Sequence, residues 1–272
     1  MKNQTELLFD ATWGIMDFGS KLKLAYNYLF HHRYFSVMKR NSALFKPENA
    51  NKICYICALG PSLKNVDLSK IEGDTFVVNR FYLFGQEWPG FIPTYYGLID
   101  ALFALDGYNH ELRAALDMYV PKGTLFFLSS KMEGIPLLKP YDKDKLYYVT
   151  WPSGAMKAKK NYSLDRPFPD VQNVSCFAIY YAILMGYKKI VLLGCDNSSY
   201  ATLKKSHCYD DGGQDRVDTQ AMNLFSYALV GRTHDELSGF AKRLGVEIVN
   251  STKGSLIDSY KFEIDDSLYK TK

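Results

Sequence analysis

The sequence predicts an α/β fold, a Rossmann-like, mainly parallel sheet with helices on both faces, plus an N-terminal helical leader and a lid-like insertion. From residue 52 onward, short apolar segments alternate with segments of helical periodicity. Strands separated by helices need crossover connections, which produce a parallel sheet. The composition is that of a globular protein, with 47% hydrophobic and 23% charged residues in a chain of 272.

The predicted strands are continuous apolar runs, as strands buried on both faces of a parallel sheet must be. The first is ICYICA at residues 53–58, and the others lie at 76–79, 94–99, 124–130, 145–150, 188–194 and 246–250. Helical patterns are found at 109–120, at 175–186 and from about 233 to 245. Residues 131–172 predict an irregular insertion, and residues 197–231, which are polar and contain glycine, predict a lid.

The chain divides into a helical leader, residues 1–50, and an α/β domain, residues 51–272. Apolar residues recur in the leader at helical spacing, and four are predicted to face one way: Leu24, Tyr28, Leu29 and Phe35. Residues 18–47 carry six cationic side chains and no acidic one. A basic, aromatic helix of this kind predicts contact with anionic lipid at an inner-membrane surface. The alternative is packing on the main domain or on a partner subunit, as in a homo-oligomer.

The charge distribution limits the possible partners. The net charge is +4, but residues 48–272 carry no net charge, so we expect no nucleic-acid binding, which needs a basic face over much of a fold. No apolar run reaches about 18 residues, which argues against a membrane-spanning helix. The N-terminal sequence lacks the apolar core of a signal peptide. We therefore expect a cytoplasmic location, at most peripheral on the inner membrane.

The five cysteines are an odd number and predict no disulfide framework. Cys54 and Cys57 form a C-x-x-C inside the first apolar run. No second such pair and no cluster of histidines completes a zinc site. We therefore predict buried thiols in a reducing compartment, and no metal site.

Polar residues follow the first three predicted strands at their carboxyl ends, where ligands bind in open parallel sheets. Gly60-Pro61-Ser62 comes first, where Gly60 permits a tight turn and Ser62 can cap a helix or bond a phosphate. The segment is neither a Walker loop nor a G-x-G-x-x-G, and an ordinary turn is an equal alternative. Asn79 follows the second strand, where it can bond a base or ribose or cap a helix. Asp100 follows the third, where a carboxylate can bind a hydroxyl, transfer a proton or cap a helix.

A second set of candidates follows later strands and loops. Asn173 and Ser175 open an apolar helix whose first amides favour an anion. Asp196 and Ser199 follow the strand at 188–194, and a purely structural role for Asp196, as a loop cap, is the alternative.

The catalytic candidates are a tyrosine and two histidines. Tyr200 lies directly after Ser199, and His207 lies in the polar loop on the same side of the predicted sheet. An imidazole that titrates near neutral pH is the usual general base for a hydroxyl. His234, at the expected start of the last helix, is the alternative base.

The order of these motifs resembles the bacterial family-42 sialyltransferases and, in its wider pattern, the related 6-hydroxymethylpterin diphosphokinase-like family. The likeness covers about residues 52–260. It is carried by Gly60-Pro61-Ser62-Leu63, Asn79-x-Phe81, Gly186-Tyr187-Lys188, Gly194–Tyr200, His207-Cys208-Tyr209 and Gly245–Asp258. The chain departs from the sialyltransferases at Leu59, Cys176 and Ser198, where they carry Asn, Gly and Tyr.

The resemblance implies a Rossmann-like domain that uses a CMP-sugar as co-substrate, with no further cofactor and no metal. It implies inverting transfer of a sialic acid- or Kdo-type sugar to a hydroxyl of a glycan acceptor, lipid-linked forms included, in surface polysaccharide or lipooligosaccharide synthesis. Gly60, Ser62 and Asn79 would contact the nucleotide, and Ser175 would lie near its phosphate. The Tyr200 hydroxyl would stabilise the departing phosphate, and a lid histidine would deprotonate the acceptor.

Two other functions stay open at this stage. A 6-hydroxymethylpterin diphosphokinase-like enzyme would transfer diphosphate from ATP and would need Mg²⁺, which carboxylates such as Asp100 and Asp196 could hold. A non-catalytic, nucleotide-binding scaffold subunit of a glycan assembly complex would keep the ligand site without the chemistry.

Overall fold

The computed structural model describes residues 4–201, 207–210 and 219–270. The strands are β1 Ile53–Cys57, β2 Asp74–Val78, β3 Tyr95–Leu98, β4 Leu125–Ser129, β5 Leu146–Val149, β6 Lys189–Leu193, β7 Glu247–Asn250 and β8 Lys261–Phe262. Within the described residues they form one parallel sheet in the order β5-β4-β3-β2-β1-β6-β7-β8. The chain order reverses direction between β1 and β6, at the centre of this sheet.

The helices lie on both faces of the sheet, which confirms the predicted fold class. They are α1 Gln4–Phe30, α2 Arg33–Ser36, α3 Phe81–Gly85, α4 Asn109–Tyr119, α5 Val174–Leu184 and α6 Gln220–Arg243. Short 3₁₀ turns connect several of the elements. None of the helices in the described ranges combines the length and the apolar character that crossing a bilayer requires.

The strands form because their side chains are apolar on both faces. Along β1, Cys54 and Ile56 belong to one core cluster, and Tyr55 and Cys57 belong to the cluster on the opposite face. Successive side chains of a strand alternate between the two faces, so a strand covered on both sides needs no polar position. The five cysteines are buried and free of disulfides, as the sequence predicts.

Helix α5 is buried along nearly its whole length and packs on β1 and β2 and against α6. Eight of its eleven residues are buried, so its sequence is apolar on every side rather than on one stripe. This packing brings the N-terminus of α5 to the carboxyl ends of the central strands.

Helix α1 is attached to the domain through one buried acid. Asp17 accepts hydrogen bonds from the Lys157 ammonium at 2.7 Å, the Lys21 ammonium at 2.8 Å and the Ala155 amide at 3.0 Å. Burial raises the pKa of Asp17, but these hydrogen bonds outweigh it and lower the pKa to about 2. Trp13 is buried beside this contact. The leader is therefore a docked helix.

The seven predicted strands are all present, each within two residues of its predicted bounds. The sequence reading missed β8, a pair of exposed residues. The prediction for the last helix was also wrong at its start, because α6 begins at Gln220 and not near residue 233. Residues 220–231 of the predicted lid are thus helical. Residues 202–206 and 211–218 of that lid lie outside the described residues.

Candidate functional site

A cleft of about 350 Å³ opens at the carboxyl edge of the sheet, where the strand order reverses between β1 and β6. Ligands of open α/β sheets bind at this kind of switch point, since the loops on its two sides diverge. The cleft brings together eight of the residues that sequence reasoning proposed: Gly60, Pro61, Asn79, Asn173, Ser175, Asp196, Ser199 and His207. These positions span the chain from 60 to 207, so the fold assembles them.

The turn after β1 packs directly on the loop after β6. The Gly60 amide donates a hydrogen bond to the Gly194 carbonyl at 2.9 Å. A Cβ at position 60 would lie 1.9 Å from Oδ2 of Asp196 and 2.5 Å from that same carbonyl. Only glycine fits this close approach, so Gly60 is required by packing.

Asp196 is held by the turn that it faces. Its carboxylate accepts one hydrogen bond from the Ser62 hydroxyl at 2.7 Å and another from the Ser62 amide at 3.2 Å. Burial raises the pKa of Asp196, and the two hydrogen bonds from Ser62 offset part of that rise. Ser62 is itself buried and does not line the cleft. Its contact in this structure is with Asp196, and its predicted contact with a nucleotide stays a prediction.

Asn79 presents an unused acceptor at the wall of the cleft. Its backbone has a φ of 47°, in the left-handed region, and is fixed by hydrogen bonds with the Gly97 carbonyl and the Tyr96 hydroxyl. Its side-chain Oδ1 is buried, and no donor in the described part of the chain reaches it. A buried carbonyl oxygen without a partner costs about 1–3 kcal/mol. A ligand that donates a hydrogen bond here would remove that cost.

The N-terminus of α5 forms another wall. Asn173 caps the helix, since its side-chain Oδ1 accepts from the Cys176 amide at 2.8 Å and from the Ser175 hydroxyl at 2.9 Å. A helix N-terminus carries a partial positive charge and favours an anion. The cap leaves the Asn173 and Ser175 side chains at the cleft surface.

His207 is fixed through its neighbours in the chain. The Cys208 amide donates to the Leu59 carbonyl at 3.0 Å, and the Cys208 side chain is fully buried. The His207 ring stacks on the ring of Tyr209 with a centroid distance of 4.9 Å. This short segment therefore holds the imidazole against the turn after β1.

Tyr209 is linked in turn to an ion pair. The Arg80 guanidinium hydrogen-bonds to Tyr209 and forms a bidentate contact with Glu111, at 2.5 and 2.7 Å. Glu111 is almost fully buried on α4, and the hydrogen bonds that its carboxylate accepts raise the pKa of Arg80 despite partial burial. Neither Arg80 nor Glu111 was a candidate from the sequence, because nothing in their spacing relates them.

One aromatic ring lines the cleft and a second packs on it from outside. Tyr227 of α6 is the lining residue, and the ring of Tyr200, which does not line the cleft, packs against Tyr227 with a centroid distance of 5.1 Å. Sequence reasoning missed Tyr227, Ser226 and Val230, because it placed them in a lid. Their spacing within α6 was the available signal, since residues four apart on a helix share a face.

Two residues that the sequence predicted for the site, His234 and Asp100, lie outside the cleft. His234 is fully buried inside α6, with Nδ1 2.9 Å from the Tyr260 hydroxyl, and burial lowers its pKa to about 4. A solvent-excluded imidazole outside the cleft is in no position to take a proton from an acceptor. Asp100 is exposed and caps a 3₁₀ turn by accepting from the Leu102 amide at 3.0 Å. It does not line the cleft, so it is not brought together with Asp196.

Within residues 4–201, 207–210 and 219–270, no three His, Cys, Asp or Glu side chains come together in a way that could hold a metal ion. Burial raises the pKa of both Cys57 and Cys208 to about 12, so these two thiols stay protonated.

The chain matches no protein-family model and no curated protein sequence. Among solved structures it is similar to the sialyltransferase CstII from Campylobacter jejuni in complex with the substrate analogue CMP-3FNeuAc, at 19% identity and a TM-score of 0.48, over 81% of this chain and 89% of that chain. CstII in complex with cytidine-5'-monophosphate gives 18% identity and 0.48, over 81% and 88%. The monofunctional alpha-2,3-sialyltransferase Cst-I from the same organism gives 15% identity and 0.48, over 84% and 85%.

Proposed function

We propose that this chain is a glycosyltransferase that moves a sugar from a CMP-activated donor to a hydroxyl of a glycan acceptor. The observation that carries the proposal is the single cleft at the switch point of the sheet, which brings Gly60, Asn79, Ser175 and His207 together. Gly60 permits a close backbone approach, and Asn79 has an unused acceptor. Ser175 lies at a helix N-terminus, and His207 is the base. The donor class follows from the sequence motifs that resemble family-42 sialyltransferases.

In the proposed donor site, the nucleotide phosphate lies between the Gly60 turn and the N-terminus of α5. The N-terminus of α5 supplies backbone amides and partial positive charge, which favour an anion without a metal. The Gly60 turn, whose Gly60 and Ser62 amides are bonded to Gly194 and Asp196, supplies a wall without a side chain at which a ligand can approach the backbone closely. The buried Oδ1 of Asn79 accepts a hydrogen bond from the nucleoside, through a ribose hydroxyl or the amino group of the base. Asp196, held by Ser62, fixes the spacing of the two loops.

The proposed reaction is one displacement with inversion. The acceptor oxygen attacks the anomeric carbon, the bond between that carbon and the phosphate oxygen breaks, and CMP departs. His207 takes the proton of the acceptor hydroxyl. The hydroxyl of Tyr200, whose ring packs on the cleft residue Tyr227, donates a hydrogen bond to the departing phosphate, which stabilises charge that develops only in the transition state.

The rest of the proposal concerns the substrates and the setting. The sugar is of the sialic acid or Kdo type, and the acceptor is a surface polysaccharide or lipooligosaccharide, which includes lipid-linked forms. The Tyr200–Tyr227 pair is the proposed surface for the acceptor, because aromatic rings at an open edge give a sugar both an apolar face and a polar hydroxyl. The reaction needs no metal, so EDTA should leave turnover unchanged.

A thermal-shift panel of CMP, CDP, UDP, GDP, ADP and ATP, each with and without Mg²⁺, tests the donor class. Binding to the folded state at about 100 times Kd stabilises it by about 2.7 kcal/mol, which raises Tm by roughly 5–10 °C. A shift with CMP alone supports the proposal. A shift only with ATP and Mg²⁺ supports a diphosphokinase instead, and no shift with any nucleotide contradicts nucleotide binding.

Hydrolysis or transfer of a CMP-sugar by the purified protein tests the chemistry. His207→Ala should lower kcat by about 10²–10⁴-fold while CMP still raises Tm, because the imidazole acts on the acceptor proton and not on the nucleotide. His110→Ala, at an exposed histidine of α4, is the matched control. CMP binding without turnover in the wild-type protein would indicate the non-catalytic scaffold.

A further inference from the structure

Helix α1 carries an apolar seam on its solvent face. The seam consists of Leu8, Ala11, Ile15, Phe18, Leu22, Ala25 and Leu29. All seven residues are exposed, and Ile15 and Leu29 keep 73% and 74% of their side-chain surface. The intervals between them alternate strictly between three and four residues. Over 22 residues, at 1.5 Å per residue, the seam is about 33 Å long.

The opposite face of α1 is the one that packs on the domain. Its buried residues include Trp13, Ser20 and Asn27, which recur every seven residues and lie two positions before a seam residue. Asp17, on the same side, is fixed by Lys157 and by the Ala155 amide. The docking of α1 therefore holds the seam outward, away from the core.

The spacing of the apolar residues along the seam indicates which kind of partner it fits. An apolar repeat of 3.5 residues matches the surface of another α-helix, which takes such side chains into the holes between its own. Gly14 and Gly19 flank the seam and leave room for a partner helix to approach α1 closely. Even a Cβ added at either position would meet no atom of this chain within 4 Å.

A lipid bilayer fits α1 less well. Interfacial helices rich in Lys and Arg lie on anionic lipid. Within α1, however, Lys21 pairs with the buried Asp17, and Lys23 stands against Glu6 and Asp10. The cations of residues 31–46 lie near the C-terminal end of the seam, so they leave most of its length without the basic flank that an anionic surface needs.

The sizes of the seam residues make the seam complementary to itself. The first set of seam residues, Leu8, Ile15, Leu22 and Leu29, is large throughout. It alternates along the helix with a second set, Ala11, Phe18 and Ala25. When two copies of α1 run antiparallel, three of the four large residues can each face a residue of the second set, which is alanine in two of the three cases. In a parallel pair the alanines would face each other and leave gaps.

We propose that α1 is the dimerisation helix of this protein, and that a second copy of the chain docks on the seam through its own α1, antiparallel to the first. Such an interface is isologous, because each copy contributes the same surface. A groove of about 820 Å³ borders the seam at its C-terminal end, between Tyr28, Phe35 and Pro167. It offers the end of the partner helix further apolar surface beside the cations Lys21, Lys39 and Arg166. The proposal does not depend on the proposed catalytic function.

The test is the mass of the full chain in solution, measured by light scattering and by sedimentation across a concentration series. The wild-type protein should have twice the chain mass of 31.1 kDa. The variants Ile15→Glu and Leu22→Glu should each have the mass of one chain, 31.1 kDa. Each should unfold at the same Tm as wild-type protein diluted until it is monomeric, because both side chains are exposed and face away from the core. Leu105→Glu, at an exposed leucine far from α1 in sequence, should remain dimeric.

Four outcomes would overturn the proposal. A monomeric wild-type protein at every concentration is one, and seam variants that stay dimeric are another. The third is a monomer that floats with vesicles of phosphatidylcholine and phosphatidylglycerol and loses this binding in Ile15→Glu, which would assign the seam to a bilayer. A change of mass in Leu105→Glu equal to that in Ile15→Glu would also contradict a specific seam.

Discussion

Asp196 accepts hydrogen bonds from both the hydroxyl and the amide of Ser62, and so joins the loop after β6 to the turn after β1. These two segments belong to adjacent strands on either side of the switch point. The pair sets the width of the proposed donor site at its base. It does so with a carboxylate that is 8% exposed, where a lost partner is costly.

Ser62→Ala should lower the free energy of unfolding by about 1–3 kcal/mol, because it leaves a buried carboxylate oxygen without its hydroxyl donor. It should also weaken CMP binding, since the stronger of the two hydrogen bonds that hold Asp196 to the turn is lost and only the amide bond remains. Ser69→Ala is the matched control, because Ser69 makes the same pair of hydrogen bonds to Asp67 on the exposed surface. Urea unfolding measures both variants. Equal losses in the two would contradict the importance of burial at Ser62.

Gly60→Ala should destabilise the protein and abolish nucleotide binding. The new Cβ would lie 1.9 Å from Asp196 Oδ2 and 2.5 Å from the backbone oxygen of Gly194, which cannot move without separating β1 from β6. We expect a fall in Tm of several degrees, at roughly 2–4 °C per kcal/mol for a chain of this size. Gly107→Ala, where a Cβ meets nothing within 4 Å, should leave Tm and CMP binding unchanged.

Asn79→Gly should weaken CMP binding by about tenfold without loss of stability. Glycine adopts the φ of 47° at this position freely, so the variant removes the amide side chain but adds no backbone strain. It also removes the unpartnered Oδ1. Gln172→Gly is the control, since Gln172 has a φ of 64° but does not line the cleft. Unchanged CMP affinity in Asn79→Gly, measured by calorimetry, would remove Asn79 from the donor site.

Glu111→Gln should lower kcat by about tenfold or more while the affinity for CMP stays the same. The substitution weakens the bidentate hold on Arg80, which also hydrogen-bonds to Tyr209, the residue on which His207 stacks. A small shift in the position of a reacting group lowers kcat more than it lowers the affinity for the donor. Arg113→Gln, at an exposed site on the same helix, is the control. A change in CMP affinity equal to the change in kcat would indicate a general disturbance of the cleft.

His234 should make the protein lose stability as the pH falls from about 6.5 to 4. Burial lowers the pKa of His234 to about 4, while in the unfolded chain it titrates near its ordinary value. Over this window the unfolded state binds the proton and the folded state does not, so unfolding becomes more favourable, by at most about 3 kcal/mol. The wild-type pH profile of urea unfolding should therefore be steeper than that of His234→Asn. His110→Asn, on the surface, should retain the wild-type slope.

The sheet could be predicted because its strands are buried on both faces, which leaves a continuous apolar run at each one. The pair Lys261–Phe262 at β8 is exposed and has no such run. The first half of α6 was not predicted as helix, for a related reason. Met222, Leu224 and Phe225 are exposed apolar residues among polar ones, so the face that packs on the domain is not evident before Leu229.

The site could be predicted in part, because the carboxyl ends of parallel strands meet at one edge whatever the details of packing. Gly60, Asn79 and Asp196 reach the cleft for this reason. His234 does not, because the helix that carries it begins earlier and turns it into the core. The contact between Arg80 and Glu111 depends on how α4 packs, and no local pattern encodes that.

The anchoring of Cys208 bears on the proposed base. The Cys208 amide donates to the Leu59 carbonyl and its side chain is buried, so the stretch from His207 to Tyr209 is tied to the domain at its middle residue. A larger side chain at position 208 would therefore displace the imidazole of His207 from the cleft without any change at position 207 itself.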